Sequence, residues 1–221
     1  MNHIQQKNQS SAPRNQSFPF LSGVLALDLI NTDIFLRGKR HDFLSSPKAA
    51  AEWWRQASEL FPDRARVEDE AAITRWNPAL LEELKRLRET LRRLFLALIE
   101  QQPLDAEDLA EFNRRLALGY HTVSLNETGE ATSRYHTTEP ATGAILLPLA
   151  LSAFEVMTRY DRSRLHKCAN ERCIGLFYDT TRSATRHWCS PECMNRARSH
   201  QHYQQLKSQK VISAVTEEYY Q

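Results

Sequence analysis

The sequence predicts a mainly α-helical chain with one small β-hairpin, an α+β protein made of a helical N-terminal domain and a compact cysteine-bearing C-terminal module. Three observations carry this. Leu80, Leu84, Leu87, Leu91, Leu94, Phe95 and Leu98 recur at steps of three and four, the period of a helix with one apolar face. Only 6 of 221 residues are glycine, against about 7% in ordinary chains, which argues against an all-β fold built on tight turns. Cys168, Cys173, Cys189 and Cys193 all fall within 26 residues, and the rest of the chain has no cysteine.

The elements follow in order. Residues 1–17 are rich in Asn, Gln and Ser and read as a disordered tail. Leu21 to Asn31 is apolar except at Ser22, Asp28 and Asn31; a buried strand would fit the run, but a helix would put Asp28 and Asn31 on one face. Ser46-Pro47 is an N-cap with proline at the first helical position, opening a helix through Leu60 that carries Trp53 and Trp54. A short helix is expected over Val67 to Trp76. Asn77-Pro78 opens the long amphipathic helix, which Pro103 ends, and Asp105 caps another that Gly119 closes. His121 to Leu125 and Ala131 to His136, joined through Asn126-Glu127-Thr128-Gly129, read as a hairpin. Gly143 to Tyr160 is apolar on most sides and reads as a buried helix containing Pro148. The predicted organisation is a tail over 1–17, a helical domain over 18–160, the cysteine module over 161–210 and a C-terminal tail over 211–221.

Charge and hydropathy narrow the function classes. The net charge is +2, which excludes a uniformly basic nucleic-acid coat. The longest apolar run, Ala144 to Leu151, has eight residues and a proline, far short of the ~20 a bilayer span needs. No secretory signal pattern opens the chain, so the expectation is a cytoplasmic protein without a membrane partner. In that compartment thiols stay reduced, and clustered cysteines more often bind metal than pair as disulfides.

The spacing Cys168-x4-Cys173-x15-Cys189-x3-Cys193 is that of two chelating pairs, the pattern of one structural zinc ion held by four thiolates. Four thiolates close the coordination sphere and leave no position for a reactive water, so catalysis at this metal is not expected. His166, His187, His200 and His202 lie nearby as substitutes, but the set of four cysteines is complete without them. Between the pairs, Ile174 to Tyr178 suits a strand and Arg186-His187-Trp188 a returning strand. Ser190-Pro191-Glu192 then starts a helix that runs through Met194 and Ala197 to about Tyr203–Lys207. Knuckle, hairpin and helix make a treble-clef or zinc-ribbon-like layout.

Charge is segregated along the chain. Residues 159–210 hold eleven cations and four anions, net +7, which leaves −5 for the rest. A basic patch interleaved with Tyr178, His187, Trp188 and Tyr203 suits a phosphate backbone. The bland reading is a solvated basic face, or one docked on its own acidic partner domain.

From Phe177-Tyr178-Asp179 through Arg182, Arg186-His187-Trp188-Cys189-Ser190 to Cys193-Met194-Asn195-Arg196, the sequence resembles the CGNR-type zinc finger. In that bacterial family the finger follows an ABATE domain, and Gly23 to Thr32, with Leu44-Ser45-Ser46-Pro47 leading to Trp53-Trp54, is similar to that domain. The resemblance covers most of residues 18–207 and implies a zinc-dependent DNA-binding module in a stress-linked transcription regulator. It departs at one place, where Met194 stands for the family's glycine. If that glycine provides positive φ or a close approach to DNA, Met194 alters the contact; if the position is an ordinary first helical turn, Met is harmless.

The expected function is therefore a transcription regulator, not an enzyme. No Gly-rich phosphate loop, His-x-x-x-His pair or nucleophile elbow is present. Arg182, Arg186, Arg196, Arg198 and Lys207 are the expected phosphate contacts, with Asn195 or an arginine at a base edge. The helical domain is expected to bind a small-molecule effector, with Asp28, Asn31, Thr32 and Arg37 as its polar cluster, or to form a homodimer. Local capping explains Asp28 and Asn31 equally well. The competing reading is a zinc-stapled protein-interaction or redox-sensing module that never touches DNA.

Overall fold

The computed structural model describes residues 18–36, 39–62 and 76–219. The expected tail over 1–17, Arg37 and all of the helix expected over Val67 to Trp76 except Trp76 lie outside the described residues, and Trp76 is not helical. The order is α1 (Leu25–Ile30), β1 (Asp33–Leu36), β2 (Lys39–Asp42), α2 (Pro47–Leu60), α3 (Pro78–Ile99), α4 (Ala106–Leu116), β3 (Gly119–Leu125), β4 (Ala131–Thr137), α5 (Pro140–Thr158), a 3-10 turn (Arg162–Arg164), β5 (Leu165–Lys167), β6 (Leu176–Tyr178) and α6 (Pro191–Tyr219). The strands form three separate antiparallel pairs, β1 with β2, β3 with β4 and β5 with β6.

Local chemistry sets the helix starts. Ser46 Oγ accepts from the Ala49 amide at 3.2 Å, Asn77 Oδ1 accepts from Leu80 at 2.9 Å, and Asp105 Oδ1 accepts from Glu107 and Asp108. Proline follows at the first position of α2 and α3, where its missing N–H leaves no bond unmade. α5 is the central helix. It is long and apolar enough to cross a bilayer by length and composition, but Ile145 to Ala150 and Ala153 are buried among protein side chains. α1 packs on α5 and α3, and α4 packs on α3 and α5. Trp53 and Trp54 are both buried in this core.

Several elements differ from the sequence expectation, each for a local reason. The helix expected from Leu21 begins only at Leu25. The preceding segment turns instead, with Gly23 at φ +66°, and Asp28 Oδ1 accepts from the Leu21 and Ser22 amides and from Ser22 Oγ. Gly119 does not close α4; that helix ends at Leu116, and Gly119 opens β3. A Cβ there would lie 2.1 Å from the His136 carbonyl oxygen and 2.5 Å from Leu147. The hairpin β1–β2, paired from Asp33↔Asp42 to Leu36↔Lys39, was not expected at all.

In the cysteine module β6 pairs with β5, not with a strand at Arg186–Trp188. The Asp179 carboxylate accepts from the Thr181 and Arg186 amides and from Thr181 Oγ1, which folds that stretch into a loop. α6 also runs on to Tyr219, beyond the expected end near Lys207.

Candidate zinc centre and basic face

The metal site is built from a knuckle and a helix start. β5 delivers the chain into the turn Cys168–Cys173, β6 carries it away, and the loop returns Cys189 just before Ser190. Ser190 Oγ accepts from the Cys193 amide at 3.2 Å, so the fourth cysteine sits in the first turn of α6. The layout is a knuckle between two paired strands, a loop, and a helix start, without the second hairpin strand expected between the cysteine pairs.

All four cysteines are buried and none is in a disulfide. Their sulfurs lie within 4.8 Å of one another, with Cys173–Cys189 at 3.7 Å, Cys193–Cys173 at 3.6 Å and Cys189–Cys193 at 3.4 Å. A tetrahedron of sulfurs at ~2.3 Å from zinc has edges of about 3.8 Å, whereas a disulfide needs about 2.05 Å. The donor set therefore fits one structural zinc ion, and the four thiolates hold it. No histidine joins the cluster among the described residues.

Backbone amides and one cation support the sulfurs. Gly175 N–H points at Cys173 Sγ at 3.3 Å and Cys189 N–H at Cys168 Sγ at 3.5 Å. Arg196, one helical turn past Cys193, donates to its sulfur at 2.9 Å. Gly175 was missed by sequence reasoning. A Cβ there would sit 3.2 Å from Cys189 Sγ and 3.3 Å from Cys173 Sγ, closer than an ordinary contact, so a side chain would crowd the sulfurs by a few tenths of an ångström. A glycine two residues after a knuckle cysteine was the available signal.

Met194 lies within α6, its amide bonded to the Ser190 carbonyl at 3.1 Å, and is not among the described residues with positive φ. The position is an ordinary first helical turn, so the missing family glycine removes no special backbone conformation.

The expected DNA-contact residues divide. Arg182, Asn195, Arg198 and Lys207 are exposed. Arg186 is engaged inside the protein: Nε donates to the Trp188 carbonyl at 2.9 Å, Nη2 donates to the carbonyls of Leu21 and Cys189, and the guanidinium lies 4.6 Å from the Phe177 ring centroid. It ties the loop to the module, with Nε and Nη2 both taken up by carbonyls of the protein itself. Arg196 is half-buried on its cysteine.

Three residues of the expected effector cluster, Asp28, Asn31 and Thr32, are buried and bonded within the protein. Asn31 is fully buried and bonded to the backbone of Leu176. Thr32 Oγ1 donates to the Leu29 carbonyl at 2.6 Å and accepts from Arg88 at 3.1 Å. Asp28 closes its own turn, and burial pushes its carboxyl up to about 6. These side chains hold the helical part together and join it to the module.

Sequence reasoning also missed Arg88 and Arg92, which lie on α3 between the leucines of its apolar face. Arg88 is buried and paired with Asp42 at 2.7 Å. Arg92 donates to the carbonyls of Ile30, Asp33 and Ile174, bridging α1, β1 and the cysteine knuckle. Burial works to raise the Asp33 carboxyl, but the hydrogen bond from Arg40 and the charges of Arg88 and Arg92 outweigh it and hold it below its ordinary value.

A helical body carrying a four-cysteine module, with a knuckle and a helix start supplying two ligands each, defines a zinc-finger protein of the two-module kind. The comparisons agree. A family model named ABATE, described as "Putative stress-induced transcription regulator", matches residues 23–160, and the CGNR zinc finger matches residues 164–205. The chain belongs to the ABATE family, with a CGNR zinc finger at its C-terminal side. Both are regulator and zinc-finger families rather than enzyme families. No curated protein matches the chain.

Proposed function

We propose that this protein is a cytoplasmic, zinc-dependent DNA-binding transcription regulator without catalytic activity. The observation that carries the reading is the exposed set Arg182, Asn195, Arg198 and Lys207 on a module whose α6 starts at the zinc cluster. Exposed cations on a metal-braced helix are what phosphate contact requires, and an exposed asparagine on the same helix suits a base edge. The cations Arg182, Arg198 and Lys207 stand outside every ion pair among the described residues, which favours this over a basic face neutralised by its own acidic partner.

The helical domain is proposed to modulate the finger, by an effector or by dimerisation, through the contacts that Asn31 and Arg92 make with the knuckle. The redox-sensing alternative needs accessible thiolates. Here all four sulfurs belong to residues no more than 5% exposed.

The test is binding of full-length protein to duplex DNA across a salt series, with zinc loaded and after chelation. Affinity that falls linearly with log salt and disappears on chelation supports the reading. Salt-insensitive or undetectable binding by the zinc-loaded protein overturns it.

A further inference from the structure

Between the knuckle turn and the outer face of α6 lies an open groove of about 480 Å³. One wall is Ala169 to Arg172; the other is the α6 face from Asn195 to Gln201. The walls are tied together by one side chain. Asn170 Nδ2 donates to the Cys193 carbonyl at 3.2 Å, and its Oδ1 accepts from the Arg172 amide at 3.0 Å. Because Cys173 and Cys193 are also ligands of the same zinc, the groove is held from two sides and is formed before any partner arrives.

The charge in it is positive. Arg172 stands on the knuckle wall and is exposed, and Arg196 stands on the α6 wall. Arg196 points its Nη2 at Cys193, and its Nε is buried with no hydrogen-bond partner. Glu171 is the one carboxylate in the lining. A zinc tetrathiolate carries a net charge of −2, so an anion near it needs a cation between. Arg196 occupies that place.

We propose that this groove seats a backbone phosphate of duplex DNA, with Arg172 as the direct contact and Arg196 as the positioning residue that screens the thiolates. This deepens the DNA-binding reading and rests on it. It also assigns a contact to the knuckle, so that DNA is held by both halves of the zinc site.

The experiment measures binding of the zinc-loaded full-length protein to two unrelated labelled duplexes over a salt series, for wild type, Arg172→Ala and Arg172→Lys. Arg172→Ala is expected to lower the slope of log affinity against log salt by about 0.9, one phosphate. The affinity loss should be equal on both duplexes, with zinc content and melting temperature unchanged. Arg172→Lys, which keeps the point charge, restores the slope. An unchanged slope in Arg172→Ala, beside a wild type that binds normally, overturns the groove assignment alone. A loss on one duplex only would mean base reading and also overturns it. A wild type with no salt-dependent binding overturns the DNA reading and the groove assignment together.

Discussion

The side-chain amide of Asn31 pairs with the backbone of Leu176 as a neighbouring strand would, accepting from its N–H at 3.0 Å and donating to its carbonyl at 2.8 Å. Asn31 ends α1 in the helical part, and Leu176 begins β6, three residues after Cys173. Both are fully buried. The finger is thus hydrogen-bonded into the helical body, and Leu165 and Leu176 belong to the same apolar core as α1, α3 and α5.

Asn31→Ala should destabilise the protein strongly. It leaves a buried N–H and a buried carbonyl at Leu176 without partners, at about 1–3 kcal/mol each. Denaturant unfolding of the zinc-loaded protein is expected to show a loss on the order of 2–5 kcal/mol. A loss under half a kilocalorie would mean that water or a shifted backbone replaces the amide.

Zinc removal should loosen more than the finger. Ile34 of β1 packs in the cluster formed by the four cysteines and Phe177, and Arg92 bonds the Ile174 carbonyl. Hydrogen exchange after chelation is expected to quicken in α1 and β1 as well as in residues 165–193. Faster exchange confined to the finger would show that the two parts respond independently.

Asp28 makes stability depend on pH. Its carboxyl is raised from 3.8 to about 6, chiefly by burial, and Oδ2 has no hydrogen-bond partner. Between these values the folded state keeps a proton that the unfolded state has released. Its contribution is therefore fully present at acid pH, is lost as pH rises from about 4 through about 6, and stays lost above that. The full swing is about 3 kcal/mol. Asp28→Asn retains an acceptor for the Leu21 and Ser22 donors and should remove this slope. Wild-type stability minus that of Asp28→Asn is expected to fall across the window in urea titrations; a flat difference would contradict it.

Gly175→Ala should weaken the metal site without unfolding the helices. The added methyl meets two sulfurs fixed by zinc, which cannot retreat as a flexible side chain would. Zinc affinity, read by competition with a chromophoric chelator, is expected to fall on the order of 10-fold or more. Unchanged affinity would mean that the knuckle relaxes freely.

The zinc ligands were legible in the sequence because chelation by pairs is a local property, written as spacing. The starts of α2, α3 and α4 were legible for the same reason, since Ser46, Asn77 and Asp105 cap amides two or three residues away. What spacing could not show is a partner 145 residues distant, as for Asn31. Arg88 and Arg92 were not singled out because charge between leucines on an amphipathic helix normally means solvent. Here buried carbonyls and Asp42 supply the compensation that lets guanidinium groups enter the interior. The returning strand at Arg186–Trp188 failed because β5 and Asn31 both pair with the backbone of β6, and Asp179 folds the intervening stretch into a loop.

The pairing of Asn31 with Leu176 has a thermodynamic corollary. Coupling between two binding events is reciprocal: whatever free energy zinc contributes to ordering α1, an event that orders α1 returns to zinc. A molecule that tightens the helical body will raise the metal affinity by the same factor, and one that loosens it will hasten zinc loss. If chelation quickens exchange in α1, the metal content of this protein will follow the state of helices that supply none of its ligands.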